Sequence, residues 1–383
     1  MVGFFRSGWR GRLTLVGAGV VALLAISLPI ALGDTGTPTW KLKSYPSRGV
    51  DRSFKCDLYQ EMPQVPRVLI YGGSRSLRMD PAVVKRMTGL PAFNFGLHNG
   101  RPEDAWAVTD WVLDTNPTKP PTVIWCVQAT SFLDTPMNPG LILDPRLSQA
   151  FPPALIAAKQ AWAMQQDVHD VLRHNRYGYD GMLWWNGYDR RRAAGVTLRR
   201  ALDIYLSPKM LGIAANRQLP HHTRAMAYFE RSIRLLNAYH IKPVIVIMPY
   251  QPRALSTFLS VGWGYKEQWL RGYLAWLSGH LRLKVLDCLD ISTFGGSPRG
   301  FYDGAHLDIA NSRLLMRYIV RHARGCFKVP TLPEPTPTST PTPTPTESPS
   351  PSPSASAGPV QPVTAPPYVP VPEITDVPAG YLD

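Results

Sequence analysis

The sequence predicts an α/β protein with a three-layer α/β/α build, a central sheet of five parallel strands and a helical insertion after the third strand. Three observations carry this expectation. Short apolar runs of strand character recur at residues 67–71, 93–95, 122–127, 243–248 and 283–287. Helical patterns separate or follow them near residues 81–88, 103–114, 223–239, 264–280 and 309–323. Apolar strands alternating with helices mark a parallel sheet covered on both faces. Five such strands suit a flavodoxin-like order, 2-1-3-4-5, in which ligands sit beyond the carboxyl ends of the strands.

The chain opens with residues 13–33, LTLVGAGVVALLAISLPIALG, a run of 21 uncharged residues preceded by Arg6, Arg10 and Arg12. Such a run is long enough to span a bilayer. Positive charge on its amino side predicts that everything after it lies outside the cytoplasm. The favoured expectation is a retained anchor, giving a single-pass cell-membrane protein with an extracytoplasmic domain. Ala31-Leu32-Gly33 offers the alternative of a cleaved signal near Gly33 and a secreted chain. Residues 34–66 read as a polar, proline-containing lead-in.

The domain proper is expected over residues 67–328. It begins with Val68-Leu69-Ile70-Tyr71-Gly72-Gly73-Ser74-Arg75-Ser76, an apolar strand ending in two glycines and a hydroxyl. Asp80-Pro81 then supplies an N-cap and a first-turn proline for a helix. Strand, glycine turn, hydroxyl and helix is the arrangement that lifts a nucleophile to the edge of a sheet. By position, Ser74 follows the first strand, Gly96 the second, and Gln128 to Ser131 the third, so all three stretches converge on one edge.

Residues 135–222 interrupt the alternation. Leu155, Ala158, Trp162, Gln165, Val168 and Leu172 mark one helix face. Trp184-Trp185 and the arginines Arg190, Arg191, Arg192, Arg199 and Arg200 follow. An insertion here overhangs the active edge as a lid or substrate platform. The plainer alternative is helical packing with a solvated basic face. From Val329 to Asp383 the chain is Pro/Thr/Ser-rich and holds 17 of the 39 prolines. It reads as an extended, disordered spacer that forms no core.

The 383 residues are 44% hydrophobic, as in a globular protein, and carry a net charge of +14. Setting aside the three arginines of the first 33 residues and the five acids of the tail leaves 38 basic against 22 acidic residues, a net +16 in the middle. That balance favours an anionic neighbour, either a membrane surface or a charged envelope polymer. Nucleic acid is disfavoured by the export segment and the lack of any nucleic-acid motif. The four cysteines, Cys56, Cys126, Cys288 and Cys326, form no CxxC pair, which argues against zinc. Cys126 reads as a buried free thiol. Cys288–Cys326 is the preferred bridge, with Cys56–Cys326 left open. No metal or other cofactor is expected.

A serine needs a base to become nucleophilic. The best candidate lies over 230 residues on, in Asp303-Gly304-Ala305-His306-Leu307. Together, Gly72-Gly73-Ser74 after a strand, Asn94-Phe95-Gly96 after the next, and this final block before the last helix resemble the SGNH (GDSL-like) hydrolase superfamily over roughly residues 66–325. The resemblance implies a flavodoxin-like fold and ester hydrolysis or acyl transfer. Anchored, extracytoplasmic members act on cell-envelope polymers, which implies an envelope polysaccharide or other acylated substrate. For a transferase, it implies a multi-span partner that delivers the acyl donor.

In that reading Ser74 attacks, His306 takes its proton and Asp303 fixes the imidazole tautomer. The N–H groups of Ser74 and Gly96 form part of the oxyanion hole. The family's third block supplies an asparagine to the oxyanion, but here the region reads Trp125-Cys126-Val127-Gln128-Ala129-Thr130-Ser131. Gln128, Thr130 and Ser131 are the candidates for that donor. Gly73 also replaces the Asp or Ser that precedes the family's nucleophile. Ser76 is a competing nucleophile beyond the tight turn. Arg75, His98 and Asn99 flank the expected site and are candidates for binding a substrate carboxylate, phosphate or hydroxyl. The competing function is a non-catalytic envelope protein that keeps the fold and binds an anionic polymer.

Overall fold

The structure is a computed structural model that describes residues 50–165 and 175–328. The expected anchor at 13–33, the tail from residue 329, and Val168 and Leu172 lie outside the described residues. No helix among the described residues is long and apolar enough to cross a membrane.

The chain begins with α1 (Val50–Gln60), β1 (Val68–Gly72), α2 (Pro81–Thr88), β2 (Ala92–Asn94), α3 (Pro102–Thr115) and β3 (Thr122–Val127). The insertion follows: three helices, α4 (Pro139–Leu143), α5 (Pro145–Ser148) and α6 (Pro153–Gln165), a small hairpin of β4 (Arg176–Tyr177) and β5 (Leu183–Trp185), then α7 (Gly187–Ala193), α8 (Leu198–Tyr205) and α9 (Pro208–Ala215). The α/β alternation resumes with α10 (Arg224–Ala238), β6 (Val244–Ile247), α11 (Pro252–Ser260), α12 (Gly264–His280), β7 (Lys284–Asp287) and α13 (Ile309–His322). The main sheet runs β2-β1-β3-β6-β7 with every pair parallel. In the sheet's own count this is 2-1-3-4-5, the expected order. The hairpin β4–β5 forms a separate antiparallel sheet.

Strand alternation builds the three layers. Successive side chains point to opposite faces, and both faces are covered, so the central strands β3 and β6 are buried along their whole length. Val68, Ile70, Ile124, Cys126, Val244 and Val246 pack with Val83 and Val84 of α2 and Leu315, Met316 and Ile319 of α13. Leu69, Tyr71, Val123, Trp125, Val127, Ile245 and Ile247 pack on the other side with α3, α10 and α12, through Val112, Phe229, Ile233 and Leu274. Burying one such side chain contributes about 1.5–3 kcal/mol, so the sheet is the rigid frame of the molecule.

The caps form as expected. The Asp80 carboxylate accepts the Ala82 N–H at 2.9 Å to start α2, and Asp308 accepts the Asn311 N–H at 3.0 Å to start α13. The lead-in departs from expectation, because residues 50–60 form a buried helix. Arg52 of α1 makes a bidentate bond to Asp104 of α3 at 2.7 and 3.1 Å. The fully buried Lys55 donates to the carbonyls of Asn94 and Gly181. Polar residues masked the apolar face of this helix: Phe54, Cys56, Leu58 and Tyr59 all enter the core.

The cysteines correct a second expectation. All four are free, so neither Cys288–Cys326 nor Cys56–Cys326 is bridged. Cys288 is fully buried, and Cys326 packs against the same apolar cluster. These thiols serve as small core residues.

Candidate active site

The loop that carries Ser74 is set by steric necessity. Gly72 ends β1 with φ +144, a conformation favouring glycine. A Cβ there would stand 2.7 Å from the Cys126 carbonyl oxygen on β3. The chain then enters a 3₁₀ turn over Ser74–Ser76, closed by the Ser76 N–H on the Gly73 carbonyl at 2.9 Å. Ser74 opens this turn, where the leading N–H groups lack intrahelical acceptors. Ser76 is fully buried and donates to the Gly73 carbonyl at 2.8 Å, which removes it as a competing nucleophile.

Behind the loop stands Asn94, also fully buried. Its Nδ2 donates to the carbonyls of Ser76 and Met79 at 2.9 and 2.8 Å, and its Oδ1 accepts the Gly96 N–H at 2.6 Å. Asn94 therefore satisfies the backbone that turns away from Ser74 and ties it to β2. Its side chain also overturns the expected role of Gly96. That N–H is committed to Asn94, and Gly96 is buried away from the cleft, so it is not an oxyanion donor.

The structure brings Ser74, His306 and Asp303 into one hydrogen-bonded line. Ser74 Oγ lies 2.9 Å from His306 Nε2. His306 Nδ1 lies 3.0 and 2.9 Å from the two Asp303 oxygens. Asp303 Oδ1 also accepts the backbone N–H groups of Ala305 and His306, both at 2.9 Å, so the turn and the ring share one anchor. Burial alone would raise the Asp303 pKa. The neighbouring His306 ring and these hydrogen bonds outweigh it and hold the carboxyl below its ordinary value. An ionised Asp303 accepts from Nδ1–H, which leaves the Nε2 lone pair facing the serine hydroxyl.

The insertion closes the histidine side. The Tyr188 ring, on α7, lies 4.7 Å from the His306 ring with a 32° tilt, and its hydroxyl is 3.5 Å from Nε2. Tyr205, on α8, lies against Gly304, where a Cβ would overlap its ring. Asp189 locks α7 in place: it pairs with Arg78 and accepts the Tyr302 hydroxyl at 2.7 Å. Tyr188 was not foreseen from sequence, since an insertion carries no motif spacing to the final block. The exposed arginines Arg190, Arg191, Arg199 and Arg200 crown the same two helices, and the Arg191 guanidinium lies 4.8 Å over the Tyr188 ring. Arg192 is structural in part, donating to the Phe301 carbonyl at 2.8 Å.

On the other side of Ser74 opens a cleft of about 540 Å³. Gln128, Thr130 and Ser131 line it, as do Arg75 and Asn99, with Met137 and Trp162 from the insertion. Asn99 takes a left-handed φ of 52 at the rim. Arg75 is buried rather than a loop-surface residue. Its Nη1 donates to Gln128 Oε1 at 2.6 Å, its Nη2 to the Pro249 carbonyl, and its plane lies 4.0 Å over the Tyr250 ring. These bonds hold the guanidinium at the cleft wall. His98 stands outside the cleft lining, and its backbone N–H donates to Asp51 of α1 at 3.1 Å. Arg101, unremarked in the sequence, does line it. Among the described residues no group of three or more His, Cys, Asp or Glu could hold a metal ion.

No family model matches the chain, and no curated protein matches it. One solved structure similar to it is a "putative acylhydrolase" from Bacteroides fragilis, 11% identical, covering 75% of this chain and 100% of that one at a TM-score of 0.35. A likeness at that TM-score carries no inference about activity.

Proposed function

We propose that the chain is an SGNH-type serine esterase or O-acyltransferase that acts on acylated cell-envelope polysaccharide, held at the membrane by residues 13–33. The observation that carries this reading is the continuous hydrogen-bonded line Ser74–His306–Asp303 at the carboxyl edge of a parallel sheet, opening on a cleft. Ser74 Oγ bonds to the acyl carbon while its proton passes to His306 Nε2. The carbonyl π pair moves to the oxygen, giving a tetrahedral oxyanion. Collapse breaks the bond to the leaving alkoxide, which takes the proton from Nε2. Water or a polymer hydroxyl then repeats the sequence on the acyl-enzyme, giving hydrolysis or transfer. A transferase of this kind draws its acyl group from a multi-span membrane partner.

The exposed arginines beside His306 support an anionic polymer over a neutral one. They also support a second reading, a binding protein without catalysis, which the missing third-block asparagine favours.

The test is hydrolysis by the full-length chain of 4-nitrophenyl acetate, acetylated polygalacturonate and acetylated dextran. Turnover of the small ester, abolished by Ser74→Ala and by His306→Ala, supports the enzyme. A higher kcat/KM on the polygalacturonate than on the dextran supports the substrate class. Tight binding of polygalacturonate with no turnover of any ester would favour the binding protein.

A further inference from the structure

The third block lacks the asparagine that would complete the oxyanion hole, and the structure suggests what replaces it. β1 and β3 pair in parallel register up to Gly72 opposite Cys126. Two residues further along each strand direction stand Ser74 and Gln128. Both line the cleft. Gln128 therefore arrives where a donor from the third strand is needed.

Its amide is oriented. The Arg75 guanidinium has donors only, so the atom it meets at 2.6 Å is the amide oxygen, Oε1. The donor Nε2 must then point the other way. The rest of Arg75 is equally fixed, by the Pro249 carbonyl and the Tyr250 ring. The described partners of this buried cation are an amide oxygen, a carbonyl and an aromatic face, none of them a carboxylate. Glu267 lies within electrostatic reach of it, and the buried Arg75 Nε has no hydrogen-bond partner among the described residues. The Ser131 hydroxyl accepts the Gln128 N–H at 3.2 Å and keeps its rotatable proton, whereas the Gln128 amide has its orientation fixed by Arg75.

We propose that Gln128 Nε2 is the side-chain oxyanion donor and that Arg75 is its positioning residue. This rests on the serine-acyl-transfer reading above. As Ser74 Oγ bonds to the acyl carbon and the π pair moves onto oxygen, the new negative charge is received by the Ser74 N–H and by Gln128 Nε2–H. Arg75 holds the amide in the donating orientation. Its charge, on the far side of the amide, polarises the N–H toward the oxyanion. The charge develops only in the transition state, so the pair acts on kcat rather than on KM.

Gln128→Glu separates this role from a structural one. The glutamate keeps the shape and converts the contact with Arg75 into an ion pair, while a donor becomes an anionic acceptor. With 4-nitrophenyl acetate and the full-length chain, kcat is expected to fall about 10²–10³-fold. KM should stay within about threefold and the melting temperature should not drop. Arg75→Lys keeps the charge but loses the planar fork, and is expected to lower kcat by about tenfold or more at similar KM. A Gln128→Glu or Gln128→Leu enzyme with kcat within threefold of the parent would overturn the assignment. Wild-type chain inactive on the ester would instead remove the reading beneath it.

Discussion

The proposed reactivity of Ser74 depends on what surrounds it. Gly72 is the first requirement. Gly72→Ala puts a Cβ against the Cys126 carbonyl in a backbone conformation that side chains avoid. It should cost about 1–3 kcal/mol or more in urea denaturation. Asp303 is the second. Its folded pKa is depressed below 3.8, so its stabilisation is complete above that value and is lost as pH falls through the folded pKa. The stability difference between wild type and Asp303→Asn should therefore shrink below about pH 4. A difference that is flat from pH 7 to pH 2 would contradict the depressed carboxyl. Tyr188 is the third. Tyr188→Phe keeps the ring on His306 and should keep most of the activity. Tyr188→Ala loses a contact of about 0.5–1.5 kcal/mol and should lower kcat by about tenfold. Equal activities for the two would show that the ring does not orient the imidazole.

At the scale of elements, what was legible in the sequence was whatever carries a local period or a local signal. The strands were visible through short apolar runs, unbroken and buried in β6, while the edge strand β7 keeps only Val285 and Leu286 between Lys284 and an exposed Asp287. α2 and α13 were marked by Asp80-Pro81 and Asp308. α1 and α11 were missed: α1 buries Asp51, Arg52 and Lys55 among its apolar residues, so its pattern looks polar. Gly96 misled for a related reason, since nothing local reveals that Asn94 claims its N–H. Contacts between distant elements, such as Tyr188 on His306 or Arg75 on Gln128, have no sequence period at all. Two predictions belong here. Asp189→Ala leaves Arg78 buried without its carboxylate and should cost about 3–5 kcal/mol while loosening α7 from the histidine. Burial pushes the Lys55 pKa down to about 7, with Asp51 and Asp180 opposing. Between that value and the free lysine's 10.5 the unfolded chain holds a proton the folded chain lacks, so stability rises with pH across the window. Lys55→Met should abolish that rise between pH 7 and pH 9.5, measured by urea titration.

Across the whole molecule, the sheet edge, the final block and the insertion build one site with two differently charged sides. Asp303 anchors His306 on one side, and the buried Arg75 backs the proposed oxyanion donor Gln128 on the other. The arginines of α7 and α8 lie just outside. Their charge is exposed and therefore screened by salt. Hydrolysis of acetylated polygalacturonate should fall several-fold between about 0.05 and 0.5 M salt, while that of 4-nitrophenyl acetate should hardly change. Equal salt dependence for both would detach the arginine patch from substrate capture. All of this depends on Ser74 being an activated nucleophile. The most direct test is to treat the full-length chain with a fluorophosphonate and map the adduct by mass spectrometry. The account predicts a single adduct on Ser74, absent in Ser74→Ala and strongly reduced in His306→Ala. A folded chain that takes no label, or that takes it on another serine, would contradict it.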